Sequence, residues 1–189
     1  MSYFPTFLKF DDKKILIIGG GKIANDKLTH LLDFTNKITI ITPSISSDMQ
    51  DAINNNSLIC INRAYKKGDI SDFDIVVNAI NDIPLQKEIF EESRKSRCLY
   101  NCVDIKECCD FIFPSYVKKG DLTLAISTSG CSPALTKQLR IYFQEVIPDS
   151  INDFLKEMKK YRTTMPKGKD RMKFLETKAK EYLKTWSNK

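Results

Sequence analysis

Three consecutive glycines between an aliphatic segment and a helical segment limit most strongly how this chain can fold. The segment Lys13 to Gly19 starts with charged residues and is then continuously aliphatic, which is typical of a strand buried on both faces of a parallel sheet. The segment Lys22 to Asp33 has apolar residues at helical spacing. The glycines therefore predict a tight turn from a buried strand into a helix.

This turn fits the pattern G-x-G-x-x-A, with Gly19, Gly21 and Ala24 at the fixed positions. Gly19 would permit the turn, Gly21 would let the backbone approach a pyrophosphate, and Ala24 would keep the helix close to the sheet. The backbone amides of Lys22 and Ile23 would face the phosphates at the positive end of the helix. The pattern favours a dinucleotide site; a tight strand–helix turn without a ligand is the alternative.

The alternation of strands and helices continues along the first part of the chain. Further strands are predicted at Lys37–Thr42, Ser57–Asn62, Phe73–Ile80 and Arg97–Asp104, and further helices at Ser44–Asn54 and Pro84–Lys95. Such alternation implies right-handed crossovers and a Rossmann-like, doubly wound parallel sheet in an α/β protein.

After Asp104 the pattern changes. Phe111–Thr128 holds two extended segments without an intervening helix, which predicts a hairpin or meander. Ser132 is expected to cap a helix that has Pro133 at its first position. The remainder predicts a helical C-terminal tail. We expect a Rossmann-like NAD-binding domain over 1–112, a small α+β dimerisation region over 113–147 and a helical domain over 148–189.

The end of the second strand lacks the Asp or Glu that often holds the ribose hydroxyls in NAD-binding domains. The sequence there is Thr42-Pro43-Ser44, so a hydroxyl or a backbone group would have to serve. No arginine follows closely enough to indicate a 2′-phosphate site. These residues favour NAD over NADP.

Polar residues also follow the fourth and fifth strands, where ligands bind in open parallel sheets. Asn78 and Asn81 come after one strand and Asp104 after the next. Asp104 is the candidate carboxylate for chemistry; it could instead cap a turn or pair with Lys106. Asn78 and Asn81 could equally be turn formers.

Composition limits the partners and the location. A net charge of +6 favours polyanionic ligands. No apolar run approaches the roughly 20 residues of a membrane-spanning helix, and the N-terminal residues lack the features of a secretory signal, so we expect a soluble cytoplasmic protein. Lysines of the C-terminal tail alternate with glutamates, which favours a solvated helix face over a nucleic-acid site.

The six cysteines contain no C-x-x-C pair. The cluster Cys98, Cys102, Cys108 and Cys109 matches no ligand spacing of a metal or iron–sulfur site, so we expect small buried apolar residues and no metal. The single histidine, His30, falls near the apolar face of the first helix, where a structural role outweighs a catalytic one.

Four segments resemble, in order and spacing, the precorrin-2 dehydrogenase family, which includes the N-terminal module of siroheme synthases. These segments are IIGGGKIANDK, VVNAINDIPLQ, YNCVDIKECCDFIFPS and LTLAISTSGCSPALTKQLR. The resemblance covers about the first 147 residues, and the last two segments are more specific than the glycine loop. It implies a Rossmann-type NAD domain, a dimerisation region and a small helical part.

The resemblance also implies an activity, the oxidation of precorrin-2 to sirohydrochlorin with NAD⁺ by a homodimer. It leaves open whether iron is inserted as well, and whether Thr128 is regulatory. The sequence ends before a uroporphyrinogen methyltransferase domain, so we expect the form without it. The implied pyrophosphate loop is Gly19, Gly21, Lys22 and Ile23, the implied ribose contact is Pro43 with Ser44, and the implied essential carboxylate is Asp104.

A different class, an NAD(H)-sensing regulatory Rossmann module without catalysis, shares the glycine loop and the alternating pattern. A repressor of this class should carry a helix-turn-helix segment, and a transport regulator usually has an acidic residue after the second strand. Neither feature is evident in the sequence.

Overall fold

A computed structural model describes residues 3–188, with side chains through Trp186. Met1, Ser2 and Lys189, at the ends of the first and third expected segments, lie outside the described residues. The chain divides into two compact units, one of Tyr3–Ile112 and one that begins at Phe113.

The first unit contains a five-stranded parallel sheet and three α-helices. The strands are β1 (Ile15–Ile18), β2 (Ile38–Thr42), β3 (Ile59–Asn62), β4 (Ile75–Asn78) and β5 (Leu99–Cys102); the helices are α1 (Lys22–Leu32), α2 (Ser47–Asn55) and α3 (Ile83–Ser96). The spatial order is β3-β2-β1-β4-β5. The prediction of a doubly wound parallel sheet is confirmed.

The centre of the sheet is the aliphatic core that the sequence predicted. Every residue of β1 and β4 is buried, because both strands have a neighbour on each side and helices over the sheet. Tyr100 on β5 is fully buried as well, and its ring packs against Phe90 of α3 at a centroid distance of 5.9 Å. The edge strand β3 is only partly buried.

The second unit is built on an antiparallel hairpin and three helices. The hairpin strands β6 (Ser115–Lys119) and β7 (Leu122–Ile126) are followed by α4 (Pro133–Val146), α5 (Ile151–Thr164) and α6 (Lys169–Lys184). Gly120 in the hairpin turn has φ +56°, a left-handed conformation that glycine adopts without strain. The expected hairpin and helical tail are confirmed.

Helix capping differs from one helix to the next. The expected cap at Ser132 is confirmed, since its hydroxyl accepts a hydrogen bond from the amide of Leu135 at 3.2 Å. Asp82 caps α3 in the same way, accepting from Leu85 at 3.0 Å. Ser46 occupies the N-cap of α2 but makes no cap bond.

The predicted start of the second helix at Ser44 was wrong. The helix begins at Ser47, because residues 43–46 form a loop that other hydrogen bonds hold. The Thr42 hydroxyl donates to the backbone oxygen of Ser44 at 2.7 Å, and the Ser46 amide donates to Gly20 at 2.9 Å. These bonds stop the backbone from taking helical geometry at once.

The two N-caps in the first unit give a paired test. We expect Asp82→Ala to lower the free energy of unfolding by about 1 kcal/mol, because the amide of Leu85 loses its partner. Ser46→Ala should change it little, since the buried Ser46 hydroxyl makes no hydrogen bond with the described residues. Native-state hydrogen exchange of β1 and β4 amides measures this unit specifically. Equal losses for the two variants would contradict the capping argument.

Candidate functional site

The glycine turn connects β1 to α1 at the carboxyl edge of the sheet. Gly19 has φ +118°, and a Cβ there would lie 2.7 Å from the backbone oxygen of Ala79. Its amide continues the sheet pairing by donating to Ile41 at 2.9 Å. The role predicted for Gly19, a tight turn, agrees with this conformation.

The other two glycines differ in what surrounds them. A Cβ on Gly20 would lie 2.0 Å from the backbone oxygen of Ser44 and 2.7 Å from the Thr42 hydroxyl. A Cβ on Gly21 would meet no atom within 4 Å. Gly20 is therefore required by the protein's own packing, whereas Gly21 borders open space.

Gly21 is the N-cap of α1 and has no side chain to cap the first-turn amides. The first turn holds no acidic residue that would compete for those amides. Lys22 and Ile23 are both exposed there. This end of the helix offers backbone N–H groups and the positive end of the helix dipole to an anion.

The three ribose candidates lie beside the glycine turn, Thr42 as the last residue of β2 and Pro43 and Ser44 in the loop after it. Pro43 and Ser44 are exposed, whereas Thr42 is buried and its hydroxyl is engaged with Ser44. The Ser46–Gly20 hydrogen bond ties this loop to the turn. Thr42 therefore shapes the loop from inside, and Pro43 with Ser44 forms its open face.

An arginine at the end of β3 lies closer to this loop than the sequence indicated. The register pairs Thr42 with Asn62, so Arg63 follows directly beside Pro43. The Arg63 guanidinium donates to both carboxylate oxygens of Asp69, at 2.6 and 2.8 Å. These hydrogen bonds lower the pKa of Asp69, although its partial burial works in the other direction.

The ends of β4 and β5 place the remaining candidates on the other side of the glycine turn. Ile18, Asn78 and Cys102 are paired across the three adjacent strands β1, β4 and β5. Asn81 is exposed in the loop after β4, and Asp104 is exposed two residues after β5. Asn78 is fully buried, so its side chain lies inside the sheet edge and not on the open crevice.

Asn78 belongs to a chain of buried polar groups. Its Nδ2 donates to the Tyr100 hydroxyl at 2.7 Å, and its Oδ1 accepts from the Ile80 amide at 3.2 Å. The Tyr100 hydroxyl donates in turn to the backbone oxygen of Gln86 at 2.9 Å. Burial raises the pKa of Tyr100 even though the Asn78 hydrogen bond works to lower it, so the phenol stays protonated and remains a donor.

Asp104 is the end of this chain at the surface. Its Oδ2 accepts a hydrogen bond from Gln86 Nε2 at 2.7 Å. Among the described residues, this carboxylate is hydrogen-bonded to Gln86 and forms no ion pair with Lys106. Neither Gln86 nor Tyr100 was predicted as a site residue from the sequence; the available signal was a glutamine on the buried face of α3, beside Ile89.

The segment after Asp104 is clamped against β5. Desolvation by burial works to raise the pKa of Asp110, but hydrogen bonds from Arg94 and from the Tyr100 amide together outweigh it and lower this pKa. Asn101 Nδ2 donates to the backbone oxygen of Phe111 at 2.8 Å. These contacts fix where the chain leaves β5 and therefore where Asp104 lies.

The cysteine cluster contains three buried thiols and one half-buried thiol, Cys109. Cys98, Cys102 and Cys108 are buried, as expected, and all six thiols are free, with Cys131 exposed. Burial raises the pKa of Cys98, Cys108 and Cys109, which keeps these thiols protonated and makes them poor metal ligands. Within residues 3–188, no group of three or more His, Cys, Asp or Glu could hold a metal ion.

These residues therefore define a candidate crevice along the carboxyl edge, from the loop after β2, past the glycine turn, to Asp104 after β5. With about 4.8 Å between adjacent strands, the ends of β2 and β5 lie roughly 14 Å apart. The change of direction in strand order, at β1, falls in the middle of this crevice. This is where doubly wound sheets bind an extended dinucleotide.

Comparison with known families identifies the protein family. An NAD(P)-binding family model matches residues 6–115, which is more than half of the chain. The chain belongs to the NAD(P)-binding family. A second model, for the central part of sirohaem biosynthesis proteins, matches residues 119–140, which covers the end of the hairpin and the start of α4.

Similar proteins extend the likeness beyond the NAD(P)-binding unit. The siroheme synthase of Buchnera aphidicola is 30% identical over 167 residues, which cover 88% of this chain and 35% of the relative. The siroheme synthase of Psychrobacter cryohalolentis is 32% identical over 162 residues, covering 86% and 31%. The chain thus spans about a third of the length of these relatives.

One solved structure shares the fold across nearly the whole chain. It is titled SirC, precorrin-2 dehydrogenase, and it aligns with a TM-score of 0.79 over 99% of this chain and 100% of the other, at 21% identity. The resemblance inferred from the four sequence segments is confirmed by these comparisons. Among the described residues, every helix is too short or too polar to cross a membrane.

A methyl group added at Gly20 should affect stability, whereas one added at Gly21 should affect cofactor binding. Gly20→Ala should destabilise the first unit by about 1–3 kcal/mol, because the Ser44 backbone has to move. Gly21→Ala should leave stability nearly unchanged but weaken NADH binding by about tenfold or more, since its Cβ would fill the open space beside the helix end. Thermal unfolding and fluorescence titration with NADH measure the two effects. Tight NADH binding by Gly21→Ala would remove this turn from the phosphate site.

Proposed function

We propose that this chain is an NAD-dependent precorrin-2 dehydrogenase that oxidises precorrin-2 to sirohydrochlorin in the cytoplasm. The observation that carries the proposal is an exposed carboxylate, Asp104, held at the same sheet edge as an open glycine turn. Family membership, the siroheme synthase relatives and the fold shared with a precorrin-2 dehydrogenase support it. Six free thiols are compatible with a reducing compartment.

The residues present fit a dinucleotide. The space beside Gly21 would admit a pyrophosphate, and the uncapped amides of Lys22 and Ile23 would bind it together with the Gly19 turn. Pro43 and Ser44 would contact the adenosine ribose, with Thr42 holding their loop. Asn81 would lie on the nicotinamide side, where Asn78 supports the loop from below.

The preference for NAD over NADP rests on the loop after β2. No acidic side chain stands there to bind a ribose hydroxyl, and the neighbouring Arg63 has both of its terminal nitrogens occupied. Arg63 NH1 also donates to the backbone oxygen of Ala64 at 3.0 Å. The ion pair with Asp69 already balances the charge of this guanidinium, which weakens its attraction for a 2′-phosphate and disfavours NADP.

Asp104 would handle the proton of the reaction. NAD⁺, when bound, supplies the hydride acceptor. Oxidation of the macrocycle also releases a proton, and Asp104 is the exposed carboxylate on the crevice that would accept or relay it. The positive net charge would attract a substrate that carries many carboxylates. The same carboxylate could guide a metal in a chelatase, so its presence does not by itself imply iron insertion.

The second unit would make the protein a homodimer, through a dimerisation region at 113–147 followed by a helical domain at 148–189. Its buried hydrophobic residues are few, Val117, Ile147 and Ile151, and a two-stranded sheet alone is only marginally stable. On α4, Leu135 and Tyr142 are 49% and 56% exposed. A second copy would cover such apolar groups.

Precorrin-2 and sirohydrochlorin are the proposed partners, with no role for nucleic acid or a membrane. The basic C-terminal helices have their charge partly paired: Lys180 bonds to Glu176, and Lys178 bonds to Glu181. Lys119 is also occupied, since its ammonium donates to the Ile147 carbonyl and to Asp149. These pairs place negative charge among the lysines of α6, which disfavours contact with a nucleic-acid backbone.

The activity is tested with substrate and Asp104 variants. Purified protein incubated anaerobically with precorrin-2 and NAD⁺ should form sirohydrochlorin, which its absorption spectrum detects. Asp104→Ala should lower kcat by about 100-fold or more while NADH binding is kept, because the proton acceptor is lost and the glycine turn is not touched. Asp104→Asn, which keeps the shape, should be as slow. A wild-type rate in both variants would contradict the role of Asp104.

The dimer is tested by light scattering coupled to size-exclusion chromatography. We expect twice the chain mass of 21.7 kDa for the wild type, and a shift toward the monomer for Tyr142→Glu, because a charge would be buried in an apolar interface. Lys178→Glu on α6, outside the expected dimerisation region, is the control. A monomeric wild type would contradict the proposal.

A further inference from the structure

We propose that Gln86 is a positioning residue for Asp104, whose side-chain amide fixes the carboxylate in the orientation that the oxidation needs. This inference rests on the proposed function and adds to it a residue that the glycine motif and the strand ends do not reveal.

Gln86 is a fully buried polar side chain on α3. It shares the inward face of that helix with Ile89 and Ser93, which are also completely buried. An unbonded amide in such a place would be costly, so each of its polar atoms needs a partner.

All the hydrogen-bonding groups of the Gln86 amide are used. Its Nε2 donates to the Ile80 carbonyl at 2.6 Å and to Asp104 Oδ2 at 2.7 Å, and its Oε1 accepts from the Cys102 thiol at 2.8 Å. Because one end faces two acceptors and the other faces a donor, the partners allow only one orientation of the amide.

The backbone of Gln86 is held as firmly as its side chain. Its carbonyl accepts from the Tyr100 hydroxyl at 2.9 Å, and its amide donates to Asp82 at 2.9 Å. Gln86 thus joins the loop after β4, helix α3 and strand β5. A donor fixed in three directions is a rigid support for a carboxylate.

Asp104 needs such a support because its surroundings do not provide one. It lies in an irregular segment, is exposed to solvent, and has an exposed neighbour, Lys106, on the same segment. A charge-assisted hydrogen bond from Gln86 to Oδ2 restricts the carboxylate to one side-chain orientation. The same amide holds the Ile80 carbonyl, so the Asn81 loop and the carboxylate keep a fixed spacing.

The main test replaces Gln86 by a side chain of similar volume that cannot donate. We expect Gln86→Met to lower kcat for precorrin-2 oxidation by about 10- to 100-fold, with much smaller changes in KM for NAD⁺ and in the Kd for NADH. Gln50→Met, at an exposed glutamine of α2, is the matched control and should keep the wild-type kcat. Wild-type kcat in Gln86→Met would overturn the inference.

A double-mutant cycle separates positioning from a general structural role. In the Asp104→Ala background, Gln86→Met should cause no further fall in kcat, because the group that it positions is already absent. If the two losses multiply instead, Gln86 acts independently of Asp104 and the inference is wrong.

A second variant tests the inference if Gln86→Met does not fold, and an NMR measurement distinguishes failure of the inference from failure of the proposed function. If Gln86→Met does not fold, Gln86→Glu replaces it as the test. This variant keeps the side-chain shape and the acceptor for Cys102, but it places a second carboxylate against Asp104. Its kcat should fall by at least the amount expected for Gln86→Met. The side-chain carboxyl ¹³C resonance of Asp104 should shift in Gln86→Met and stay unchanged in Gln50→Met, with no substrate present. An unmoved resonance overturns the positioning contact, whereas an inactive wild type overturns the proposed activity.

Discussion

The parallel pairing of β1 with β2 on one side and β4 on the other is the constraint on which the site depends. It aligns Ile18 with Ile41 and with Asn78, so the chain leaves three neighbouring strands at the same edge. The glycine turn, the loop after β2 and the loop after β4 then share one crevice although they are far apart in sequence. A shift of one residue in this register would move Gly19 away from Ala79 and open the close contact that requires a glycine.

Much of this arrangement could be predicted from the sequence because it follows from local patterns. Buried strands are continuous aliphatic runs, the helices have apolar residues at helical spacing, and the Ser132-Pro133 cap is a two-residue signal. The glycine pattern predicted where the turn lies and why Gly19 is needed. The beginning of α2 was missed because it depends on a hydrogen bond between Thr42 and Ser44 and on Gly20, which is distant from Ser46 in sequence but adjacent in space.

The candidate site was less predictable, for a physical reason. Sequence position shows that Asn78 and Asp104 follow neighbouring strands, but it does not show which of them faces solvent. In the fold Asn78 turns inward to Tyr100, and Asp104 turns outward with Gln86 behind it. Gln86 belongs to α3 and meets Asp104 only because β5 pairs with β4, so this contact is a property of tertiary structure.

The buried polar chain also explains how an exposed carboxylate can be held firmly. Asn78, Tyr100 and Gln86 lose their hydration on burial and recover hydrogen bonds within the protein. Asn78 bonds to Tyr100, and Tyr100 bonds to the Gln86 backbone. The Gln86 side chain bonds to Ile80, Cys102 and Asp104. A fully bonded network has few alternative arrangements and little freedom to move. Its last donor points at Asp104, where the protein meets solvent. Dense packing inside the sheet thus keeps these buried groups rigid. The Gln86 hydrogen bond then restricts the motion of Asp104, a surface residue that has little packing of its own.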